Sequence, residues 1–183
     1  FSIGDGFAIT THLYDEFIST NQLQTIIEEK VAAIDTTDIQ ALEIQAKEVR
    51  DIIIRAEFTE EMKVLIVKQY HALCRLYHAE NLQVAIRSSA LAEDLPNASF
   101  AGQHDTFLNV SGDIVLLENV KKCFASLFNT RAVSYRKTHN IPVTDVKISV
   151  AVQKMIRSDI GSAGVAFSLD PETGYDKAIV INS

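Results

Sequence analysis

Residues 84–110 read VAIRSSALAEDLPNASFAGQHDTFLNV, and the interpretation of this stretch decides how the rest of the chain is arranged. Val84-Ala85-Ile86 is a short apolar run of the kind expected for a strand covered on both faces. Arg87-Ser88-Ser89 follows where that strand is expected to end. Glu93, Asp94 and Leu95-Pro96 come next, then the small residues of Ala98-Ser99-Phe100-Ala101-Gly102-Gln103. A second strand-like run begins at Thr106 and closes the unit at Val110. Small residues let backbone amides approach a ligand, and an arginine offers an oxyanion a planar fork of donors. The stretch suggests a site that holds phosphate.

Before it, residues 1–80 are expected to be mostly helical. Phe1 to Ile9 reads as a turn plus a short apolar segment. Thr10 or Thr11 can cap a short helix, and Thr20 or Asn21 a second one carrying Leu23, Ile26, Ile27, Val31 and Ile34. Asp38 ends a polar break and opens a third, with the stripe Ile39, Leu42, Ala46, Val49, Ile52, Ile53 and Ala56. Thr59 opens a fourth, whose stripe is Met62, Leu65, Ile66, Tyr70, Leu73, Cys74 and Tyr77. After it, residues 81–183 change character. Gly112-Asp113 is expected to start one long helix reaching about Arg136. Residues 146–156 alternate as a strand, and 162–169 and 177–182 read as two more around a turn at 170–174. The order is that of an α+β fold.

The chain has 183 residues, a formal net charge of -7 and 47% hydrophobic residues. That charge argues against a broad nucleic-acid surface, and no apolar run is long enough to span a membrane. The first residues lack a signal-peptide layout and a starting Met, so a fragment or processed chain is expected. Cys74 and Cys123 sit on helix stripes and read as reduced core thiols; together these features favour the cytoplasm.

Each candidate feature has two readings. Arg87 can bind phosphate oxygens bidentately, or pair structurally with Glu93 or Asp94. The loop around Gly102 can cover a polyphosphate with its amides, or be an ordinary hairpin turn. Gln153-Lys154-Met155-Ile156 can read an adenine edge with its backbone while Met155 packs on the ring, or be a plain edge strand. No Walker A or G-x-G-x-x-G pattern occurs. His71 and His78 are spaced to share a helix face, but no third ligand sits beside them, so no metal site is expected.

Taken in order, these motifs resemble the nucleotide-binding N-terminal domain of the phosphoenolpyruvate-utilising dikinases, most closely the phosphoenolpyruvate synthase (pyruvate, water dikinase) branch. The likeness starts at Gly4-Asp5-Gly6-Phe7-Ala8-Ile9-Thr10, where Gly4 replaces the usual proline. It continues through Arg87-Ser88-Ser89, Ala92-Glu93-Asp94-Leu95-Pro96 and Ser99-Phe100-Ala101-Gly102-Gln103. Lys122-Cys123-Phe124-Ala125-Ser126-Leu127-Phe128, Val152-Gln153-Lys154-Met155 and Gly164-Val165-Ala166-Phe167-Ser168 complete it. The resemblance implies an ATP-grasp fold with ATP and Mg2+ as cofactors. Arg87 would be the catalytic phosphate-binding arginine, aided by Ser88, Ser89 and Thr106. Gly102 and Gln103 would form the phosphate-covering loop, in which His104 stands for a usual second glutamine. Gln153, Lys154, Met155 and Ile156 would form the adenine hinge. The family's phosphate-binding lysine is expected before residue 1. Its magnesium ligands, pyruvate site and phosphohistidine domain are expected after residue 183. Rifampicin phosphotransferase, pyruvate, phosphate dikinase and a non-catalytic nucleotide-binding regulatory module are the alternatives.

Overall fold

The computed structural model describes residues 4–90, 94–95, 98–99 and 105–183. Strand β1 (Gly6–Ile9) leads into four helices, α1 (Thr11–Thr20), α2 (Gln24–Ala33), α3 (Ile39–Arg55) and α4 (Glu60–Leu76). Two helices begin where their caps predict. The Asp38 carboxylate accepts from the amides of Gln40 and Ala41, and the Thr59 hydroxyl from that of Met62. Helix α2 starts later than expected, with Leu23 as its N-cap. Asn21 is committed elsewhere: its side-chain amide donates to the carbonyls of Phe17 and Glu57 at 2.9 and 3.0 Å. Within the stripes, Leu42, Ala46, Val49 and Ile53 are buried, as are Met62, Ile66, Tyr70, Leu73 and Cys74. Ile39 and Leu65 lie outside instead, 74% and 55% exposed.

The second half comprises β2 (Val84–Ala90), the two-residue pair β3 (Asp94–Leu95) and β4 (Ala98–Ser99), and β5 (Thr106–Val110). Then come α5 (Asp113–Ser126), α6 (Thr130–Thr138), a 3-10 turn (Val143–Asp145), β6 (Ile148–Lys154), β7 (Val165–Phe167) and β8 (Val180–Asn182). The single long helix expected to reach Arg136 is two helices. Leu127, Phe128 and Asn129 donate to carbonyls only three residues back, and Asn129 is extended, with φ -60° and ψ 145°. The break seats both Leu127 and Phe128 in the core. Helix α5 is entered through Gly112, whose φ of 84° suits glycine and whose amide donates to the Tyr70 hydroxyl at 3.0 Å. That hydroxyl donates in turn to the Leu82 carbonyl at 2.9 Å, tying α4 to the segments on either side of the β2–β5 pair.

The main sheet is antiparallel in the order β1-β6-β2-β5, and β7 and β8 form a separate hairpin. The described residues thus form an α+β fold. Helices α1, α4 and α5 pack on one face of the sheet, and α3 packs outside α5. Alternation assigns the faces: Ile148, Val150 and Val152 of β6 point into the core with Val84 and Ile86 of β2 and Ile9 of β1. Phe124 of α5 stands at the centre, its ring 5.1 Å from Tyr14, 5.5 Å from Phe17 and 6.1 Å from Phe58.

Both cysteines are buried and unpaired. Burial pushes the Cys123 thiol up to about 12, so at pH 8 it stays protonated and unreactive. Titration of the folded chain with Ellman's reagent is expected to show no fast thiol, and both thiols should react once guanidinium unfolds it.

Candidate functional site

Arg87 does not stand at a strand end. Strand β2 continues past it to Ala90, because β6 pairs with it residue by residue from Val84↔Lys154 to Ala90↔Ile148. An antiparallel sheet covered on one face tolerates polar residues on the other, so a polar run need not stop the strand. The register places Arg87 between Thr106 of β5 and Ala151 of β6. Ala85 and Ser89 of β2 lie on the same face, with Gln153 and Ser149 of β6 opposite them. This face points away from α1, α4 and α5. Arg87 and Thr106 are exposed on it, and no ion pair among the described residues involves Arg87.

The remaining expected site residues divide. Ser88 has the opposite parity, and its hydroxyl donates to the Asp105 carbonyl at 3.1 Å. It braces the turn into β5. Gly102, Gln103 and His104 lie outside the described residues, as do Glu93 and the side chain of Asp94. The segment 153–156 is no edge strand, because β6 is flanked by β1 and β2. At its end the Lys154 amide donates to the Asp5 carbonyl at 2.9 Å, and the Met155 amide to that of Gln83 at 3.0 Å. The Lys154 side chain turns to the helical side, its ammonium 4.2 Å from the Tyr77 ring centroid. The Tyr77 hydroxyl donates to the Asp5 carboxylate, which pushes that hydroxyl's pKa up. Met155 is half-buried and Ile156 exposed.

Of this face, sequence reading named Gly6 within the opening Gly4–Thr10 motif, though not as a site residue, and did not name Ser149. Ser149 donates its hydroxyl to the Ser89 carbonyl at 3.1 Å, and Gly6 lies opposite Gln153. The alternation within ISVAVQK (148–154) carries the signal for Ser149, since every second residue must leave the core. Gly6 is required by contact: a Cβ there would meet the Val152 carbonyl oxygen at 2.3 Å. Gly6→Ala is expected to push β1 off β6 and cost about 1–3 kcal/mol, as overpacked sites do. Hydrogen exchange of residues 150–154 should then accelerate ahead of the rest of the sheet.

With Gly6, Ala8, Ala85 and Ala151 around it, Arg87 rises from a floor of small side chains. The arrangement can receive an extended anionic ligand along the sheet, with a cationic fork and hydroxyls to hold its oxygens. Among the described residues, no group of three His, Cys, Asp or Glu side chains is placed to hold a metal ion. His71 and His78 do not share a helix face, because α4 ends at Leu76 and His78 has φ 52°. His71 is instead 2.9 Å from the Asp113 carboxylate.

Comparison with known proteins bears on this face. Residues 2–183 match the family model described as pyruvate phosphate dikinase, AMP/ATP-binding domain. The phosphoenolpyruvate synthase of Helicobacter pylori is 44% identical over 181 residues, covering 99% of this chain and 22% of that protein. The phosphoenolpyruvate synthases of Aquifex aeolicus and Escherichia coli are 42% and 41% identical, with 97% and 100% of this chain covered and 21% and 23% of theirs. The chain therefore spans about a fifth of the length of these curated relatives. With its model matched along almost the whole sequence, the chain belongs to the pyruvate phosphate dikinase AMP/ATP-binding domain family.

Proposed function

We propose that this chain is the ATP-binding part of a phosphoenolpyruvate synthase-like dikinase, on an ATP-grasp fold. The whole enzyme converts ATP, pyruvate and water to phosphoenolpyruvate, AMP and phosphate through a phosphorylated histidine on a separate domain. The observation that carries the reading is the family match over residues 2–183, combined with an exposed arginine on an open sheet face that has no acidic partner among the described residues.

The residues fit the nucleotide in named roles. Arg87 holds phosphate oxygens with its planar fork, and Thr106 and Ser89 add donors beside it. Ser88 acts one step removed, bracing the turn at Asp105. Gly102 and Gln103 retain their proposed role as the loop that covers the phosphates. At the hinge, the amides of Lys154 and Met155 are committed to Asp5 and Gln83. The groups left to meet an adenine edge are the Met155 carbonyl and the Ile156 amide, an acceptor and a donor in succession. Gln153 flanks them on the open face, and Lys154, held on Tyr77, fixes where the hinge leaves the sheet.

ATP supplies the phosphoryl group and Mg2+ the counter-charge for its transfer. In this reading the metal ligands, pyruvate site and phosphohistidine belong to further parts of the longer protein, which acts in the cytoplasm. Pyruvate-dependent formation of AMP from ATP by the full-length protein tests the assignment. The isolated 183-residue chain is expected to produce no AMP, since in this reading the acceptor histidine belongs to a further part of the longer protein. ATP turnover that ignores pyruvate would redirect the reading to another dikinase. Binding without turnover in the full-length protein would favour the regulatory module.

A further inference from the structure

The interruption between α5 and α6 does more than seat Leu127 and Phe128 in the core. Asn129, at the break, is fixed from both sides. Its backbone amide donates to the Ser126 carbonyl at 3.1 Å, and its carbonyl accepts from the Val133 amide at 2.9 Å. Its side chain makes no capping bond to α6. It reaches instead to Asp105, 24 residues back, where Nδ2 donates to the carboxylate Oδ1 at 3.1 Å. Asp105 is also held at its carbonyl, which accepts from the Ser88 hydroxyl at 3.1 Å and lies 3.9 Å from the Cys123 sulfur. That carbonyl belongs to the peptide unit leading into Thr106, where β5 begins and where Arg87 has its register partner.

We propose that Asn129 is a positioning residue for phosphate binding, holding Thr106 in register beside Arg87 through Asp105. The inference rests on the ATP-binding reading above and adds to it a residue that does not touch the nucleotide. Groups that grip a ligand need neighbours that lock their place, and a junction fixed by two helices is a rigid origin for such a lock. The Ser88 hydroxyl sets the Asp105 carbonyl, while Asn129 sets its carboxylate, so the residue entering β5 is tethered at both ends. The second tether has an electrostatic effect as well. It draws the carboxylate toward the α5–α6 junction and keeps its negative charge from competing with phosphate for the Arg87 guanidinium.

Equilibrium binding of ATP and of adenosine to the full-length protein tests this. Asn129→Ser keeps a residue favoured at helix N-termini and adds no charge, but its hydroxyl is one bond too short to reach Asp105. It is expected to weaken ATP binding about three- to tenfold, the effect of one hydrogen bond. Adenosine, which has no phosphates, should bind as it does to the wild type. Asn129→Asp alone sets two carboxylates against each other and should weaken ATP likewise; it carries the test if Asn129→Ser does not fold. Combining Asn129→Asp with Asp105→Asn exchanges donor and acceptor at unchanged net charge, and should restore ATP binding to within about twofold, as coupled neighbours do. Unchanged ATP binding in the single variants, an equal loss for adenosine, or no recovery in the exchanged pair overturns the proposal. Unchanged binding in Asn129→Ser beside weakened binding in Arg87→Ala overturns this inference alone, whereas wild-type binding in Arg87→Ala overturns the underlying assignment of phosphate to this face.

Discussion

Replacing Arg87 with alanine in the full-length protein is expected to lower kcat/KM for ATP by about 10- to 150-fold, with folding unchanged. The size follows from the loss of charge-assisted hydrogen bonds, roughly 1.5–3 kcal/mol, at 1.36 kcal/mol per tenfold in rate. Folding is spared because the side chain is exposed and takes part in no ion pair among the described residues, so truncation opens no hole in the core. Arg87→Lys should fall between the two, since lysine keeps the charge but not the bidentate fork. Steady-state AMP formation at varied ATP provides the measurement. Activity within twofold of wild type in Arg87→Ala would remove this side chain from phosphate binding, whatever the rest of the face does.

The largest effect on stability is expected at Phe124. Its ring is fully buried and meets Tyr14, Phe17 and Phe58, which come from α1 and from the loop before α4. Truncation to alanine removes the group that joins the helical layer to α5, leaving a space that three other rings cannot easily collapse into. A loss of about 3–5 kcal/mol is expected, as for large aromatic-to-alanine changes in cores. Denaturant unfolding of the chain should show it as a lower midpoint with an unchanged slope. A loss below about 1 kcal/mol would mean that the cluster repacks and that the core is held elsewhere.

Much of the helical half was legible because its signals are local. Asp38 and Thr59 cap α3 and α4 by bonds spanning two or three residues, and a side chain with that chemistry announces itself in sequence. Asn21 misled for a tertiary reason: its side-chain oxygen accepts from the backbone amide of Glu57 at 3.3 Å, 36 residues away, and so did not cap α2. The division of the long helix was hidden because apolar residues continue through Leu127, Phe128 and Val133. Only the local hydrogen bonding at Ser126 to Asn129 reveals the turn. Arg87 was found by type but misplaced by context. Reading Val84-Ala85-Ile86 as covered on both faces ended the strand too soon, whereas one-sided cover lets it run on through polar residues. The partners of Arg87 on the open face were hidden as well, since register across strands is not written in any one of them.

The sheet order has a consequence for how the protein is made. Gly6 is paired with Gln153, 147 residues further along the chain, so β1 is synthesised long before its neighbour in the sheet, β6. At 5–20 residues per second, the ribosome takes roughly 7–30 s to deliver that partner. Until β2 and β5 emerge, α1 to α4 can form but have no sheet to cover them, and until β6 arrives that sheet is incomplete and leaves Phe17, Ile66 and Tyr70 open to other nascent chains. Strand β1 thus waits unpaired until β6 emerges, and a chaperone that shields the helical half during those seconds is expected to raise the yield more than one added after release.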